Sequence, residues 1–297
     1  MNIQWRDLTR NTLDEYASYV HFGKNYGLSD YSLVTMMLWT KPMLVKYAVL
    51  GETLFIRLTY ISDKEFILLP FSKGDLERDL KQFIEMYPNF SFNTIPAELT
   101  GFFRTNYPDK YDIVEIPIYA DYVYLTENIS SCDFCEKIDH SFRPAYLHRM
   151  YDEHKIDFRV LNSTNVAEAK KFVAEAYGDV ATQNEYLRGE MLGIDYLFAN
   201  YDIIPGCEAG ILYIDNEPDG VIITGKISPD MYDISFIKNS HKIRGSAIIL
   251  LHEAFSHFSG NCKYYNYQED LGIPGLHRFK TSLGPVEQIK KYAVIKK

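Results

Sequence analysis

Apolar residues recur at helical spacing from Trp5 to Phe22 and from Ser29 to Trp39, with Ser29 and Asp30 placed to cap the second run. Three β-rich runs follow, Leu44 to Val49, Thr53 to Tyr60 and Glu65 to Pro70, broken by Gly51-Glu52 and Ser62-Asp63-Lys64 as in a meander. Asp75 to Tyr87 then predicts a helix, Phe90 to Asn93 a strand, Ala97 to Asn106 a helix and Asp112 to Leu125 extended chain. The same order returns further on. Phe158 to Leu161 predicts a short strand, and Val166 to Tyr177 and Asn184 to Tyr201 predict helices. Strands are then expected at Ala209 to Ile214, Gly220 to Ile227 and Met231 to Ile237. A helix over Gly245 to Ser259, a strand over Tyr264 to Gln268, a short helix over Gly275 to Ser282 and a last extended piece at Tyr292 to Ile295 complete the copy. No residue-level identity joins the copies, so a structural duplication is the economical reading. The expected fold is α/β, of the α+β kind: two tandem units with mixed central sheets over 1–125 and 156–297, joined by a helical connector over 126–155 that Pro144 interrupts.

Composition narrows the function classes. The chain has 297 residues, 46% hydrophobic and 24% charged, an ordinary globular mixture. Its start has no apolar run after the first basic residue, and no window of about 18 uncharged apolar residues occurs. A cytoplasmic protein without a transmembrane segment is therefore expected. Four cysteines are too few for a disulfide scaffold, and Cys207 and Cys262 have no near partners in sequence. Cys132 and Cys135 with His140 and His148 resemble a zinc set, but the second pair is loosely spaced and no knuckle glycine accompanies the thiols, so no metal is assigned. A net charge of −9 argues against DNA and other nonspecific nucleic-acid partners, yet the last 22 residues hold six Lys or Arg against one acid. That tail reads either as a solvated surface or as a local anion site.

Two segments concentrate chemistry. In Lys242-Ile243-Arg244-Gly245-Ser246-Ala247, small residues open an apolar helix behind two cations. Exposed amides and the positive end of the helix dipole can cradle a phosphate there, although Gly245 and Ser246 would equally well simply begin a buried helix. In Tyr264 to Gly272 and Ile273 to Lys280, the carboxylates Glu269 and Asp270 at a strand end precede two glycines, a proline and the cations Arg278 and Lys280. Either acid could take a proton from an attacking amine or hydroxyl, while Arg278 and Lys280 hold a carboxylate, a phosphate or a developing oxyanion. Tyr265 and Asn266, on the strand before them, are candidate substrate contacts. Arg278 and Lys280 lie about 200° apart on an ideal helix, so at most one can point squarely inward. The expected arrangement has Arg278 orienting an acid and Lys280 touching the ligand. His252 and His257 are five apart, not four, which excludes the metalloprotease helix, and no nucleotide-binding or serine-hydrolase motif is present.

These same two segments, with Ser235-Phe236 before them, resemble the bacterial proteins related to the carboxyl-terminal domain of phosphatidylglycerol lysyltransferases. The resemblance implies a tandem GNAT (N-acyltransferase) fold, shared with the Fem-type aminoacyltransferases. It covers most of the second half, and the first half by element order. In the broader pattern a Gln or Arg, two residues, Gly, one residue and Gly or Ala bind the donor pyrophosphate; here Lys242-x-x-Gly245-x-Ala247 is similar but begins with lysine. The implied reaction moves an acyl or aminoacyl group from an activated donor, acyl-CoA or aminoacyl-tRNA and not a tightly bound cofactor, to an amine or hydroxyl. Lys242, Arg244, Gly245, Ser246 and Ala247 would hold the donor, Glu269 or Asp270 would handle the proton, and Arg278 with Lys280 would stabilise charge. The rival reading is an inert protein of this fold that binds a small anion or a protein partner. Oligomeric state, donor identity and acceptor identity have no signature in the chain.

Overall fold

The computed structural model describes residues 3–20, 26–59, 64–130, 144–178, 184–258 and 262–297. The first half opens with a two-residue strand β1 (Arg6–Asp7) where a helix was expected. The Thr12 hydroxyl accepts the Thr9 N–H at 2.9 Å and donates to the Asp7 carbonyl. This turn delays helix α1 to Leu13–Val20. Helix α2 is Leu33–Trp39, and its cap is Ser32, whose hydroxyl accepts the Thr35 N–H. Strands β2 (Leu44–Leu50), β3 (Thr53–Thr59) and β4 (Glu65–Ser72) form the expected meander. Helix α3 (Leu76–Met86), β5 (Phe92–Pro96), α4 (Ala97–Asn106), β6 (Tyr111–Glu115) and β7 (Asp121–Leu125) follow, so the predicted extended piece is two strands parted by a short turn at Pro117–Tyr119.

Two helices, α5 (Thr126–Ser130) and α6 (Pro144–Glu153), lie in the connecting stretch. The second half is β8 (Ile156–Val160), α7 (Val166–Tyr177), α8 (Glu185–Phe198), β9 (Cys207–Ile214), β10 (Glu217–Ser228) and β11 (Met231–Asn239). It closes with α9 (Ser246–His257), β12 (Tyr264–Asn266), α10 (Pro274–Ser282), β13 (Glu287–Ile289) and β14 (Lys291–Lys296). Nothing in the periodicity announced β13, whose three residues are too few to show alternation.

The duplication is visible in detail. In the first half β4 runs parallel to β5 only over Ile67↔Phe92 and Leu68↔Asn93, and just beyond, Leu69 and Pro70 oppose the single residue Phe55 as a bulge. In the second half β11 runs parallel to β12 over Met231–Asp233 and Tyr264–Asn266, and just beyond, Ser235 is the extra residue between partners Ile234 and Phe236. Bulges re-aim side chains and end regular pairing, so each half has a gap where its parallel strands part. A helix, α3 or α9, follows the bulged strand in each copy.

The two seven-stranded sheets exchange strands. Their orders are β1-β2-β3-β4-β5-β14-β6 and β13-β7-β12-β11-β10-β9-β8. Thus β7 leaves the first half to pair with β12 and β13, and β14 leaves the second to pair with β5 and β6. One core runs through both halves, with α1 on the first sheet, α7 and α8 on one face of the second, and α2 between the two; α9 covers the opposite face of the second sheet with a separate core. Helices α2 and α8 cross closely because residue 193 is glycine, whose position would put a Cβ 2.1 Å from the Leu38 carbonyl oxygen. No helix among the described residues is long and apolar enough to cross a membrane.

Candidate functional site

The exchange places Asp121 and Lys291, the first residues of β7 and β14, side by side at the centre of the molecule. Lys291 is 1% exposed, and its ammonium lies 2.7 Å from Asp121, 2.7 Å from Asp30 and 3.6 Å from Glu269. Burial alone would lower its pKa, but Asp121, Asp30 and Glu269 raise it by more, so Lys291 stays charged. Asp121 is saturated: it also accepts from the Ser29 N–H at 2.7 Å, the Ser29 hydroxyl at 3.0 Å and Asn266 Nδ2 at 2.9 Å. Asp30 and Glu269 have less help, and burial pushes both upward against the pull of Lys291. A single buried cation thus neutralises only part of three carboxyl groups.

Beside this network is a cavity of about 350 Å³ between α2, the inner face of β3–β5 and the chain after β12. Asp30, Glu190, Gln268, Glu269 and Lys291 give it polar groups, and Met36, Trp39, Leu58, Phe66 and Leu68 give it apolar walls. Three of its lining residues, Thr94, Gln268 and Leu271, have positive φ without being glycine (54°, 56° and 54°). Gln268 pairs through Nε2 with Thr35 Oγ1 and with Asp233 Oδ2, at 3.1 and 3.0 Å. Asp233 is fully buried, and burial raises its pKa to about 6 even though Ser32, Thr35, Gln268 and Ser235 donate to it. Gly225 makes this approach possible, since a Cβ there would sit 2.1 Å from the Ser32 hydroxyl and 2.7 Å from Asp233.

A second, larger cavity of about 890 Å³ opens at the start of α9, lined by Lys238, His241, Arg244, Gly245, Ala247 and Arg278 and by apolar residues including Ile237, Tyr267 and Phe279. Gly245 takes φ +84° as the helix cap, with no side chain capping the first turn and no acid in it. Asn239 instead donates to the Ser246 hydroxyl at 3.0 Å. The corresponding helix of the first half differs in charge. Asp75 caps α3 by accepting the Arg78 N–H at 3.0 Å, and Glu77 and Asp79 occupy its first turn. An anion would be repelled at α3 and attracted at α9. Nearby residues of β11 and of the chain after β12 line the two cavities, Ser235 and Gln268 the first, Ile237 and Tyr267 the second.

The predicted residues do not converge on one cleft. Glu269 faces the central cavity, and Arg278 lines the outer one with no ion pair among the described residues. Lys242 is exposed on the turn before α9, its N–H donating to the Ser240 hydroxyl. Lys280 points inward: it is 5% exposed and donates to the carbonyls of Tyr267 and Glu269 at 2.5 and 2.6 Å, and burial lowers its pKa to about 8. Its ammonium therefore fixes the left-handed turn at Gln268. Asp270 is buried as well; its carboxylate accepts from Tyr122 at 2.6 Å and from the Gly272 N–H, with His277 Nδ1 at 2.8 Å. Burial raises its pKa, yet these partners outweigh it and hold the group below the usual carboxylate range. Tyr265 is fully buried against Phe255, and Asn266 bridges Asp121 and the Gly27 carbonyl, so both build the scaffold under the cavities. Sequence reasoning passed over Asp30, Asp121, Asp233, Gln268 and Lys291; only the basic tail hinted at the last. Cys132, Cys135 and His140 lie outside the described residues, while His148 is exposed on α6. Among the described residues no group of three His, Cys, Asp or Glu could hold a metal ion.

With this geometry in view, comparison with known proteins adds three findings. A conserved protein of unknown function from Bacteroides thetaiotaomicron superposes with a TM-score of 0.88 at 20% identity, covering 100% of both chains. L-PGS from Bacillus licheniformis superposes with a TM-score of 0.68 at 13% identity, over 98% of this chain and 93% of that one. No curated protein matches. The fold is accordingly the one those two structures share, here built on two mixed sheets. The family described as phosphatidylglycerol lysyltransferase, C-terminal, matches residues 24–295, and the chain belongs to that family.

Proposed function

We propose that this protein is a transferase that moves an acyl or aminoacyl group from a phosphate-bearing donor, acyl-CoA or aminoacyl-tRNA, to an amine or hydroxyl acceptor. The donor phosphate would rest on the first turn of α9, whose uncapped amides and dipole favour an anion, with Lys242, Arg244 and Arg278 supplying charge. The observation that carries this reading is the contrast between the two copies: the helix start after the bulged strand is acid-capped in the first half and open and cation-lined in the second. From there the donor's carbonyl would reach the gap between β11 and β12, beside the bulge that Ser235 makes in the β10–β11 ladder, where backbone N–H groups of β11 would receive an oxyanion. Glu269 is the proton acceptor in this scheme, because burial has raised its affinity for a proton and it borders the same gap.

The test is incubation of the purified chain with labelled acyl-CoA or labelled aminoacyl-tRNA in the presence of a mixed pool of amines and alcohols. Label appearing in a new amide or ester, and its loss in Arg244→Glu and Glu269→Gln variants, is the expected result. Unchanged donors in every combination, with tight donor binding, would favour an inert binding protein of the same fold.

A further inference from the structure

The central cavity is chemically unlike the outer one. Three carboxyl groups line it, Asp30, Glu190 and Glu269, and Lys291 is the one lining cation among the described residues. That cation is already committed, at 2.7 Å to each of Asp30 and Asp121 and only 3.6 Å from Glu269. Glu190 stands outside the network on α8, accepting from the Tyr177 hydroxyl at 2.5 Å and feeling Lys238 from the neighbouring cavity. An anionic guest would meet an excess of carboxylates and a lysine with no charge to spare, whereas a cationic guest would supply the charge the site lacks. The rest of the lining is mixed: Thr35, Asn93 and Gln268 are among its neutral polar groups, and Trp39, Phe66 and Leu68 among its apolar walls. At about 30 Å³ per water-sized group, the cavity of about 350 Å³ has room for about a dozen non-hydrogen atoms.

We infer that this cavity binds the ammonium group of a small primary amine with an apolar body, and that this amine is the acceptor of the transfer. The acceptor role rests on the transferase reading above; the binding does not. In the step itself the ammonium gives one proton to the Glu269 carboxylate. The freed lone pair attacks the donor carbonyl, the N–C bond forms as the donor's C–S or C–O bond breaks, and the second N–H proton leaves with the departing sulfur or oxygen. Gln268 and Ser235 line this cavity within two residues of Tyr267 and Ile237 of the outer one, so the amine would lie beside the gap where the donor carbonyl would come.

The test is calorimetric titration of the full chain at neutral pH with 2-phenylethylamine and n-hexylamine, against 2-phenylethanol and phenylacetate as neutral and anionic counterparts. Saturable binding of the amines, at least about tenfold tighter than either counterpart, is expected; about tenfold is 1.4 kcal/mol. Glu269→Gln and Glu190→Gln should each weaken the amines by about tenfold, and the second lies outside the Lys291 network, so it reports even if the first unfolds. Equal affinity for amine and alcohol, no amine binding, or binding unchanged in both variants overturns the inference. Amines that bind to a chain that binds no donor would leave the cavity assignment standing and remove the acceptor role. Donors that bind where amines do not would leave the transferase reading standing and remove the cavity assignment together with the acceptor role.

Discussion

Replacing Asp233 with asparagine should make the protein more stable at neutral and alkaline pH, although it removes a carboxylate to which four side chains donate. Asp233 is fully buried, and burial lifts its pKa from 3.8 to about 6 in the folded chain despite donors from Ser32, Thr35, Gln268 and Ser235. The folded state thus binds this proton more tightly than the unfolded state does. The stability it confers is fully present below about pH 4 and is lost as pH rises through about 6. At about 1.4 kcal/mol for each pH unit, the two values differ by about 3 kcal/mol. Asparagine keeps the shape and about half the acceptor capacity and carries no charge to desolvate. The variant should therefore be no more stable than the parent near about pH 4, and gain about 3 kcal/mol on it by about pH 8. Urea denaturation of both proteins followed by circular dichroism across that range gives the difference directly, since groups away from the site cancel. A difference that stays flat with pH, or that grows toward acid, would refute the reasoning.

Three further outcomes follow from the packing. Lys291→Met should cost about 3–5 kcal/mol, because it strands Asp30, Asp121 and Glu269 without their cation; a urea midpoint equal to the parent's would contradict it. Gly193→Ala should be far more damaging than an ordinary helical glycine change, as its methyl would lie 2.1 Å from the Leu38 carbonyl and force α2 and α8 apart; a thermal midpoint raised by the better helix former would contradict it. Lys280→Met should loosen the turn at Gln268 while leaving α9 intact, read as faster amide exchange over residues 267–270 and unaltered exchange in α9.

Local pattern announced most of the elements, and repetition of their order announced the duplication. What the pattern could not carry was pairing over long separations. Lys291 sits in a stretch of the chain that reads as a solvated basic tail, and it is buried only because β14 crosses into the first sheet, where Asp30 waits 261 positions earlier. Asp121 likewise looks like an ordinary polar residue within an extended run until β7 is seen to pair with β12. Strand exchange has no local signature, because a strand alternates in the same way whichever sheet receives it. Lys280 and Arg278 illustrate a finer limit. Helical geometry separates them by about 200° but does not say which faces inward. Packing decides it: the Lys280 ammonium lies over the Tyr267 ring and finds two carbonyls in the turn. The segment around Gly245 was legible because glycine, serine and flanking cations at a helix start are all local features.

The most direct test of the account is donor titration of the wild-type chain and of Gly245→Asp in parallel. Aspartate tolerates the left-handed conformation at φ +84° better than most residues, so the variant should fold, while its carboxylate would cap the helix and oppose a phosphate there, as Asp75 does at α3. The account predicts saturable binding of acyl-CoA or aminoacyl-tRNA to the wild type and its loss, by about a hundredfold or more, in a variant whose circular dichroism is unchanged. A donor that binds both proteins equally would contradict the placement of the donor at α9 and the transferase mechanism built on it.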